Sequence, residues 1–521
     1  MKMKLKPRPC PAQWRSYDKP EGTVDCRQII DGWLRPWQEY VPSCYDGSSP
    51  VPLVLSVHGA AHHNADIYTA WQLIAERENF IVVYPHCLIE EIKFNVWRAF
   101  TKEDGMPDDV QYFDDLIDII KEKYNIDETR IYLQGQSVGD NMVSSYIFER
   151  GDKIAAAAPL SGPASASVFV DEKTGEIFRR PSCPLPVIRT HGSEDTQQPL
   201  GSLGKICIMS PKGAEGSLDY SEEARRNKWV VSQKINIDLW REANGCNPLP
   251  KLSMRGRYNW LVYEGDPCDF IFYIVEGGEH GPYLDMADNI WSGFFTAYRR
   301  VDGKIVKTEP QRPARTDEGG IALADNAVNA YVNNELVKLD EQGHEAKLID
   351  GAFYTPVTFL ERAFDGVTVE LYEQGTAAVI RSGEDRLQAA MENRSMVFNE
   401  MLRDMMPTLY FDDMLYIPFG DVARTLFGYK AALSYGAGYF CDHEGVLSYD
   451  MAYVIRELLG TEPVVTPKEM LELEMGLRRE KSKQYSAHNV AEGAWSGAQD
   501  PEEIFKELKK RYERSLEEYL E

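Results

Sequence analysis

The sequence is poor in histidine, in basic residues and in long apolar runs. With 9 histidines in 521 residues, each candidate for acid–base or metal chemistry can be weighed singly. Lys and Arg number 57 against 82 Asp and Glu, a formal charge of −25. So acidic a surface repels phosphate backbones and anionic lipid, which excludes a nucleic-acid binder and a peripheral membrane protein. No apolar run approaches the roughly 20 residues that a membrane-spanning helix needs. Cysteines are scattered: Cys10, Cys26, Cys44, Cys87, Cys183, Cys207, Cys246, Cys268 and Cys441, an odd number with no CxxC. That is neither a disulfide scaffold nor a zinc site, and it points to a reducing compartment. The N-terminus, MKMKLKPRPCPAQWRSYDKP, has basic residues but no apolar stretch after them, so as written it is not a secretory signal. The expectation is a cytoplasmic location, or an extracellular one if a signal has been removed.

Hydrophobic residues make up 43% and aromatics 11%, enough for a packed core and against wholesale disorder. At roughly 100–200 residues per domain the length predicts two to four domains. From about residue 40 to 300, short apolar runs alternate with amphipathic stretches. Predicted strands are Leu53–Val57, Phe80–Tyr84, Arg130–Leu133, Ala155–Leu160, Val187–Thr190 and Phe270–Val275. Predicted helices are Asp66–Glu78, Asp109–Lys123, Asn141–Glu149, Glu222–Ala243 and Met286–Arg299. The strands are continuous apolar runs, as expected when both faces of a sheet are covered. Their alternation with helices implies a parallel sheet with helices on both sides, and Trp33–Val41 is expected to add antiparallel edge strands.

Beyond Arg300 the pattern changes. Asp302-Gly303, Pro310, Pro313 and Gly319-Gly320 break the periodicity and place a boundary near 305–325. An internal repeat follows: LIDGAFYTPVTFLERAFDGVTVELYEQG from Leu348, and LYFDDMLYIPFGDVARTLFGYKAALSYG from Leu409. Tyr354 matches Tyr416, Pro356 matches Pro418 and Gly366 matches Gly428, each 62 positions on. Each copy reads as a turn, a short strand, a Pro-led helix, a Gly stop and a strand. From 461 the chain is charged and helical. Thr466-Pro467-Lys468-Glu469 is a capping box, and Ile504, Phe505, Leu508, Tyr512 and Leu516 form one apolar stripe. The organisation read here is an N-terminal extension (1–32), an α/β domain (33–305), a linker (306–324), an α+β module with the repeat (325–460) and a helical tail (461–521). Self-association through the C-terminal region is one use for that stripe; docking on the body of the protein is the other.

The sharpest chemical signal is Gly135-Gln136-Ser137-Val138-Gly139. It follows an apolar strand and precedes a helix, with serine at the apex of a tight turn: a nucleophile elbow. A serine needs a base to take its proton and an acid to orient that base. In this arrangement the acid and then the histidine follow the serine along the chain, on loops after strands. Asp195 stands in the Gly loop after Val187–Thr190, with Glu194 as its nearest rival, and His280 stands at the tip of the loop after Phe270–Val275. His191 precedes the acid and reads as a backbone-positioning residue. His62-His63 do not make a metal pair, since adjacent side chains project apart and no carboxylate or Cys cluster accompanies them; no metal and no cofactor are expected. The oxyanion hole needs backbone N–H groups. One is assigned to Val138, and the other to Ala60 or Ala61 in the loop His58-Gly59-Ala60-Ala61.

The segments PLVLSVHGAA, NFIVVYPH with Trp97 following, YNIDETRIYLQGQSVGDNM, PLPVIRTHGSEDTQQP, LWREANGC and YIVEGGEHG occur in the order and rough spacing of one family. Over residues 33–300 the chain resembles the polyhydroxybutyrate depolymerase and feruloyl/acetylxylan esterase family. The resemblance implies an α/β-hydrolase: a mostly parallel sheet with helices on both faces, here followed by the α+β repeat module and the helical tail. It implies that Ser137, Asp195 and His280 form the catalytic triad and that Trp97 lies near the active site as a substrate-binding residue. It also implies a disulfide between Cys246 and Cys268, which match a pair that the family often bridges. Two features depart from the pattern. Asp140-Asn141 follow Gly139 where the family usually has small residues, so Asp140 is expected to disfavour anionic substrates. Gly201–Trp229 is a polar insert, a lid or acceptor-side wall on one reading and a surface loop on another. The repeat is similar to the copper amine oxidase-like N-terminal domain, a module without catalytic copper.

The function expected is a serine ester hydrolase acting on feruloyl or acetyl esters of polysaccharide, or on short polyhydroxyalkanoate esters. A serine peptidase of the same fold, or a catalytically silent binding or assembly protein, are the alternatives.

Overall fold

The computed structural model describes residues 22–59, 65–88, 97–102, 107–162, 164, 166–193, 195, 234–281, 284–312, 319–472 and 517. One mixed sheet holds the strands β1 (Thr23–Ile30), β2 (Trp33–Tyr40), β3 (Val51–Val57), β4 (Ile81–Pro85), β5 (Ile126–Gln136), β6 (Ala156–Leu160), β7 (Val187–Gly192), β8 (Lys251–Arg255), β9 (Tyr258–Tyr263) and β10 (Phe270–Val275). Their spatial order is β1-β2-β4-β3-β5-β6-β7-β10-β9-β8. The run from β4 to β10 is parallel, and antiparallel pairs close both edges. This order, with helices between the parallel strands, is that of an α/β-hydrolase.

The apolar runs become strands because both faces are covered. Every residue of β3, β4, β6, β7 and β10 is buried. Each fully buried Val, Leu or Ile side chain contributes about 1.5–3 kcal/mol relative to exposure. The covering helices are α1 (Ala65–Glu78), α2 (Asp109–Lys123), α3 (Val138–Arg150), α4 (Ile235–Ala243) and α5 (Leu284–Gly293). In α2 the sequence logic is explicit. The Asp108 side chain caps the helix by accepting from the N–H groups of Val110 and Gln111, Lys121 and Lys123 sit in the last turn, and Val110, Phe113, Leu116, Ile117 and Ile120 face the core.

Three boundaries differ from the sequence reading. The sheet starts inside the stretch read as an extension, since β1 pairs with β2 from Thr23 opposite Tyr40 to Ile30 opposite Trp33. Arg27 and Gln28 interrupt its apolar pattern and hide it. The stretch read as a linker takes in the end of the strand Lys304–Lys307, paired with Tyr298–Val301, and the whole of Ile321–Ala324, paired with Ala437–Cys441. The last predicted hydrolase helix ends at Gly293 rather than Arg299. There Phe294 leaves the helical region and Phe295 stacks on Tyr132 at 4.6 Å, so packing of aromatics overrides the helical pattern. Of the predicted helix Glu222–Ala243, only Ile235–Ala243 falls within the described residues as helix.

In the C-terminal region, the strand Ala352–Pro356 pairs antiparallel with Met414–Pro418, Tyr354 opposite Pro418 and Pro356 opposite Tyr416. The residues that match at 62 positions therefore cross-pair about Thr355 and Ile417. The helix Phe419–Phe427 ends on Gly428 in the left-handed conformation, which a residue with a Cβ adopts only at a cost. This region docks on β8 and β9: Tyr331 Oη donates to the Pro250 carbonyl and Tyr439 Oη to that of Leu252. Thr466 and Glu469 bond reciprocally, as the capping box requires. The stripe Ile504–Leu516 lies outside the described residues.

Candidate active site

Strand β5 ends at Gln136 and α3 starts at Val138, which leaves Ser137 to make the turn alone. It does so at φ 57°, ψ −119°, a conformation that costs a non-glycine residue roughly 1–3 kcal/mol and that persists only under tight packing. The flanking glycines provide that packing. A Cβ on Gly139 would stand 2.4 Å from the Val57 carbonyl oxygen, one on Gly135 would stand 2.4 Å from that of Gly139, and one on Gly162 would stand 2.0 Å from that of Ser137. The Ser137 N–H is fixed by the Leu160 carbonyl at 2.8 Å. The hydroxyl does not cap α3. Val138 opens the helix, where N–H groups have no partner within the helix.

Asp195 and His280 follow β7 and β10, which lie side by side in parallel register with Gly192 opposite Val275. The two loops are also stitched together, with Ser193 N–H donating to the Val275 carbonyl and Gly277 N–H to Ser193 Oγ. This brings His280 Nδ1 to 2.8 Å from Asp195 Oδ2. The Asp195 side chain is fully buried and that of His280 nearly so. Burial pushes the Asp195 carboxyl up, but hydrogen bonds from His191 and His280 outweigh it and hold the group well below the usual carboxylate range. An ionised carboxylate only accepts, so His280 donates from Nδ1 and keeps its lone pair on Nε2. Ser137, Asp195 and His280 all stand at the carboxyl ends of strands in the one parallel run β5-β6-β7-β10, the end where open α/β sheets hold their sites.

His191 does more than position backbone. Its Nε2 lies 3.2 Å from the same Asp195 oxygen, fully buried, so Asp195 holds two imidazoles. The four-residue spacing on a tight loop is the signal that could have linked them.

Three expectations are corrected. Trp97 is 4% exposed and packs in the core. Its indole N–H donates to the His58 carbonyl at 3.0 Å and its ring lies 4.9 Å from that of His58, so it supports the strand end rather than presenting a face to substrate. His58 itself accepts from the Cys87 N–H at Nε2, which leaves Nδ1–H to donate to the Gly59 carbonyl. This holds the backbone that leads toward Ala60 and Ala61. Asp140 does not meet substrate either, because it is fully buried and ion-paired with Arg189 at 2.8 Å. The implied disulfide is absent: Cys246 and Cys268 are free thiols, and Cys246 Sγ points instead at the Cys268 carbonyl, 3.7 Å away. Burial pushes the Cys246 thiol up to about 11.

Ala60, Ala61, His62, His63, Glu194 and the insert Gly201–Trp229 lie outside the described residues. Among the described residues, no cluster of three or more His, Cys, Asp or Glu could hold a metal ion, and no helix is long and apolar enough to cross a membrane.

Residues 39–200 match the family described as Esterase PHB depolymerase. The chain is 28% identical over 272 residues, 51% of its length, to the bifunctional acetylxylan esterase/xylanase XynS20E of Neocallimastix patriciarum. It is 28% identical over 158 residues, 30% of its length, to feruloyl esterase B of Piromyces equi. It spans 33% and 25% of the lengths of these two relatives. Among solved structures, an acetyl xylan esterase from Aspergillus awamori aligns over 52% of this chain and 98% of its own, at 16% identity and a TM-score of 0.36. The LpqC poly(3-hydroxybutyrate) depolymerase from Bordetella parapertussis aligns over 52% of this chain and 90% of its own, at 16% identity and a TM-score of 0.34. By the family and sequence matches, the chain contains a carboxylic ester hydrolase domain.

Proposed function

We propose that this protein is a serine carboxylic-ester hydrolase working through Ser137, His280 and Asp195 and an acyl-enzyme. The observation that carries the reading is the 2.8 Å bond between His280 Nδ1 and the buried Asp195 carboxylate, which follow adjacent strands of the same parallel run that holds the strained serine turn.

His280 Nε2 takes the proton of Ser137 Oγ as the oxygen bonds to the ester carbonyl carbon. Asp195 holds the imidazole in its tautomer and stabilises the imidazolium. The N–H of Val138, with that of Ala60 or Ala61, receives the negative oxygen; one such donor is worth roughly 10²–10³ in rate. The tetrahedral intermediate collapses, the ester C–O bond breaks, and His280 returns the proton to the leaving alcohol. Water then attacks the acyl-enzyme with His280 as base again, releasing the acid and restoring Ser137.

Aryl or acyl esters on polysaccharide are the first substrate class, in keeping with the acetylxylan and feruloyl esterase relatives. Short polyhydroxyalkanoate esters are the second. Residues 325–460 are read as an accessory unit similar to the copper amine oxidase-like N-terminal domain.

Ser137→Ala should lower turnover of p-nitrophenyl acetate by roughly 10⁴–10⁶-fold with an unchanged circular dichroism spectrum. Unchanged hydrolysis would end the reading. A panel varying acyl and alcohol sides separately, with feruloyl, acetyl and hydroxybutyryl donors, then ranks the substrates.

A further inference from the structure

Asp140 stands three residues after Ser137, in the first turn of α3, and Arg189 stands in β7. Both are buried. Arg189 Nη2 donates to the two carboxylate oxygens of Asp140 at 2.9 and 2.8 Å. Ser144 Oγ donates to Oδ1 at 3.0 Å, and the Gly162 N–H donates to Oδ2 at 2.9 Å. Arg189 Nη1 also reaches Ser144 Oγ at 3.4 Å.

A helix start packed on a sheet has no need of a buried charge, and apolar residues of similar volume often serve stability as well or better. What the pair adds is direction. Its hydrogen bonds converge on three separate pieces of the site. The first is the turn of α3 that begins at Ser137. The second is the loop after β6, where Gly162 lies against the Ser137 carbonyl. The third is β7. Arg189 and His191 are two apart on that strand and share one face, and His191 touches the acid that holds His280. Direct contacts thus join Asp140 to Arg189 and His191 through Asp195 to His280, and the two groups are linked along the chain by the turn that carries Ser137 and by one face of β7.

We propose that Asp140 and Arg189 are positioning residues for ester hydrolysis: their ion pair locks the serine turn in register with the strand that presents the acid and base. This rests on the function proposed above. Neither residue touches substrate. Their effect falls on the alignment of Ser137 Oγ with His280, so it reads out in kcat rather than KM.

The test compares Ser137→Ala, Asp140→Asn, Arg189→Lys and the double variant Asp140→Leu/Arg189→Met, in the full chain, on p-nitrophenyl acetate. Each kcat is scored per folded protein, by circular dichroism and thermal melting. Asp140→Asn keeps the shape and loses the charge; the double variant removes both charges, so no unpaired charge is left to unfold the protein. The expected result in every folded variant of the pair is a fall in kcat of about tenfold or more, because a small misplacement of reacting groups is costly, with KM within about threefold. The fall for Arg189→Lys is smaller than for Asp140→Asn, since a lysine keeps the charge but not the second nitrogen that reaches Ser144. A folded Asp140→Asn or double variant with kcat within twofold of the unaltered protein would overturn the inference, showing a merely structural pair. Turnover surviving in Ser137→Ala would instead end the functional reading itself, so the two failures are distinguishable.

Discussion

His191 and His280 bring a ring nitrogen each to one oxygen of Asp195, at 3.2 and 2.8 Å. The shared oxygen divides its negative charge between two donors. A hydrogen bond to a charged group is worth about 1.5–3 kcal/mol, so His191 helps to fix the carboxylate that orients His280. Replacing His191 by Phe should loosen the Asp195 loop and lower kcat on p-nitrophenyl acetate by about tenfold. His191→Gln, which restores an N–H donor, should recover part of the loss. A folded His191→Phe variant with the kcat of the unaltered protein would assign His191 to packing alone.

The same carboxylate makes a second prediction, about stability. Asp195 is held below the usual carboxylate range by its two histidine partners against the opposing effect of burial. The folded protein therefore binds fewer protons at this site than the unfolded chain does. Its contribution to stability is complete above the unfolded carboxyl value of about 3.9 and is lost as pH falls from there toward the folded value. Asp195→Asn should melt below the unaltered protein at pH 7, and the gap should narrow as the pH is lowered through 4 to 3. A gap that does not change with pH would contradict this.

What could be read in the sequence follows from how local each signal is. β3 and β10 announce themselves as unbroken apolar runs, since a strand covered on both faces has no polar face to interrupt it. The serine turn is legible because strand, glycine, serine, glycine and helix are contiguous. Asp195 and His280 are legible because each follows a strand on a Gly-rich loop. Arg189 is not, because its partner Asp140 lies 49 positions away and only the neighbourhood of β5, β6 and β7 brings them together. Trp97 misleads for the same reason: its place in the order of motifs is local, whereas its burial against His58 depends on the fold. β1 is hidden because two long polar side chains sit in the middle of an otherwise half-buried strand.

Gly162 tests the packing behind the serine turn. A Cβ there would overlap the Ser137 carbonyl oxygen at 2.0 Å, and the neighbouring Ser137 main-chain atoms lie at 2.6 and 2.9 Å. Backbone, unlike the end of a flexible side chain, has nowhere to go. Gly162→Ala should cost about 1–3 kcal/mol of stability, the usual range for overpacking, and should cut turnover by more than that loss of folded protein explains, because the displaced atoms belong to the nucleophile. Urea unfolding with p-nitrophenyl acetate kinetics on the same sample separates the two effects. A variant that is destabilised but fully active per folded molecule would show that the turn tolerates the shift.

Asn259 tests whether the C-terminal region is a separate unit or part of the hydrolase body. It is fully buried in β9, opposite Ile274 of the strand that leads to His280. Its Nδ2 donates to the Val446 carbonyl at 2.9 Å and its Oδ1 accepts from the Ser448 N–H at 3.1 Å, both just before the helix Tyr449–Leu458. Asn259→Leu keeps the volume and leaves the buried Ser448 N–H and the more exposed Val446 carbonyl without these partners, a loss of roughly 1–3 kcal/mol. If the regions unfold as one, that loss should appear as a shift of a single urea transition reported equally by tryptophan fluorescence and by esterase activity. Tryptophan is concentrated in the hydrolase part, so fluorescence and activity both follow that half, and circular dichroism follows the whole chain. A circular dichroism transition that moves alone, with activity lost at the original urea concentration, would show instead that the C-terminal region unfolds on its own and that the contacts with β8 and β9 do not couple the two.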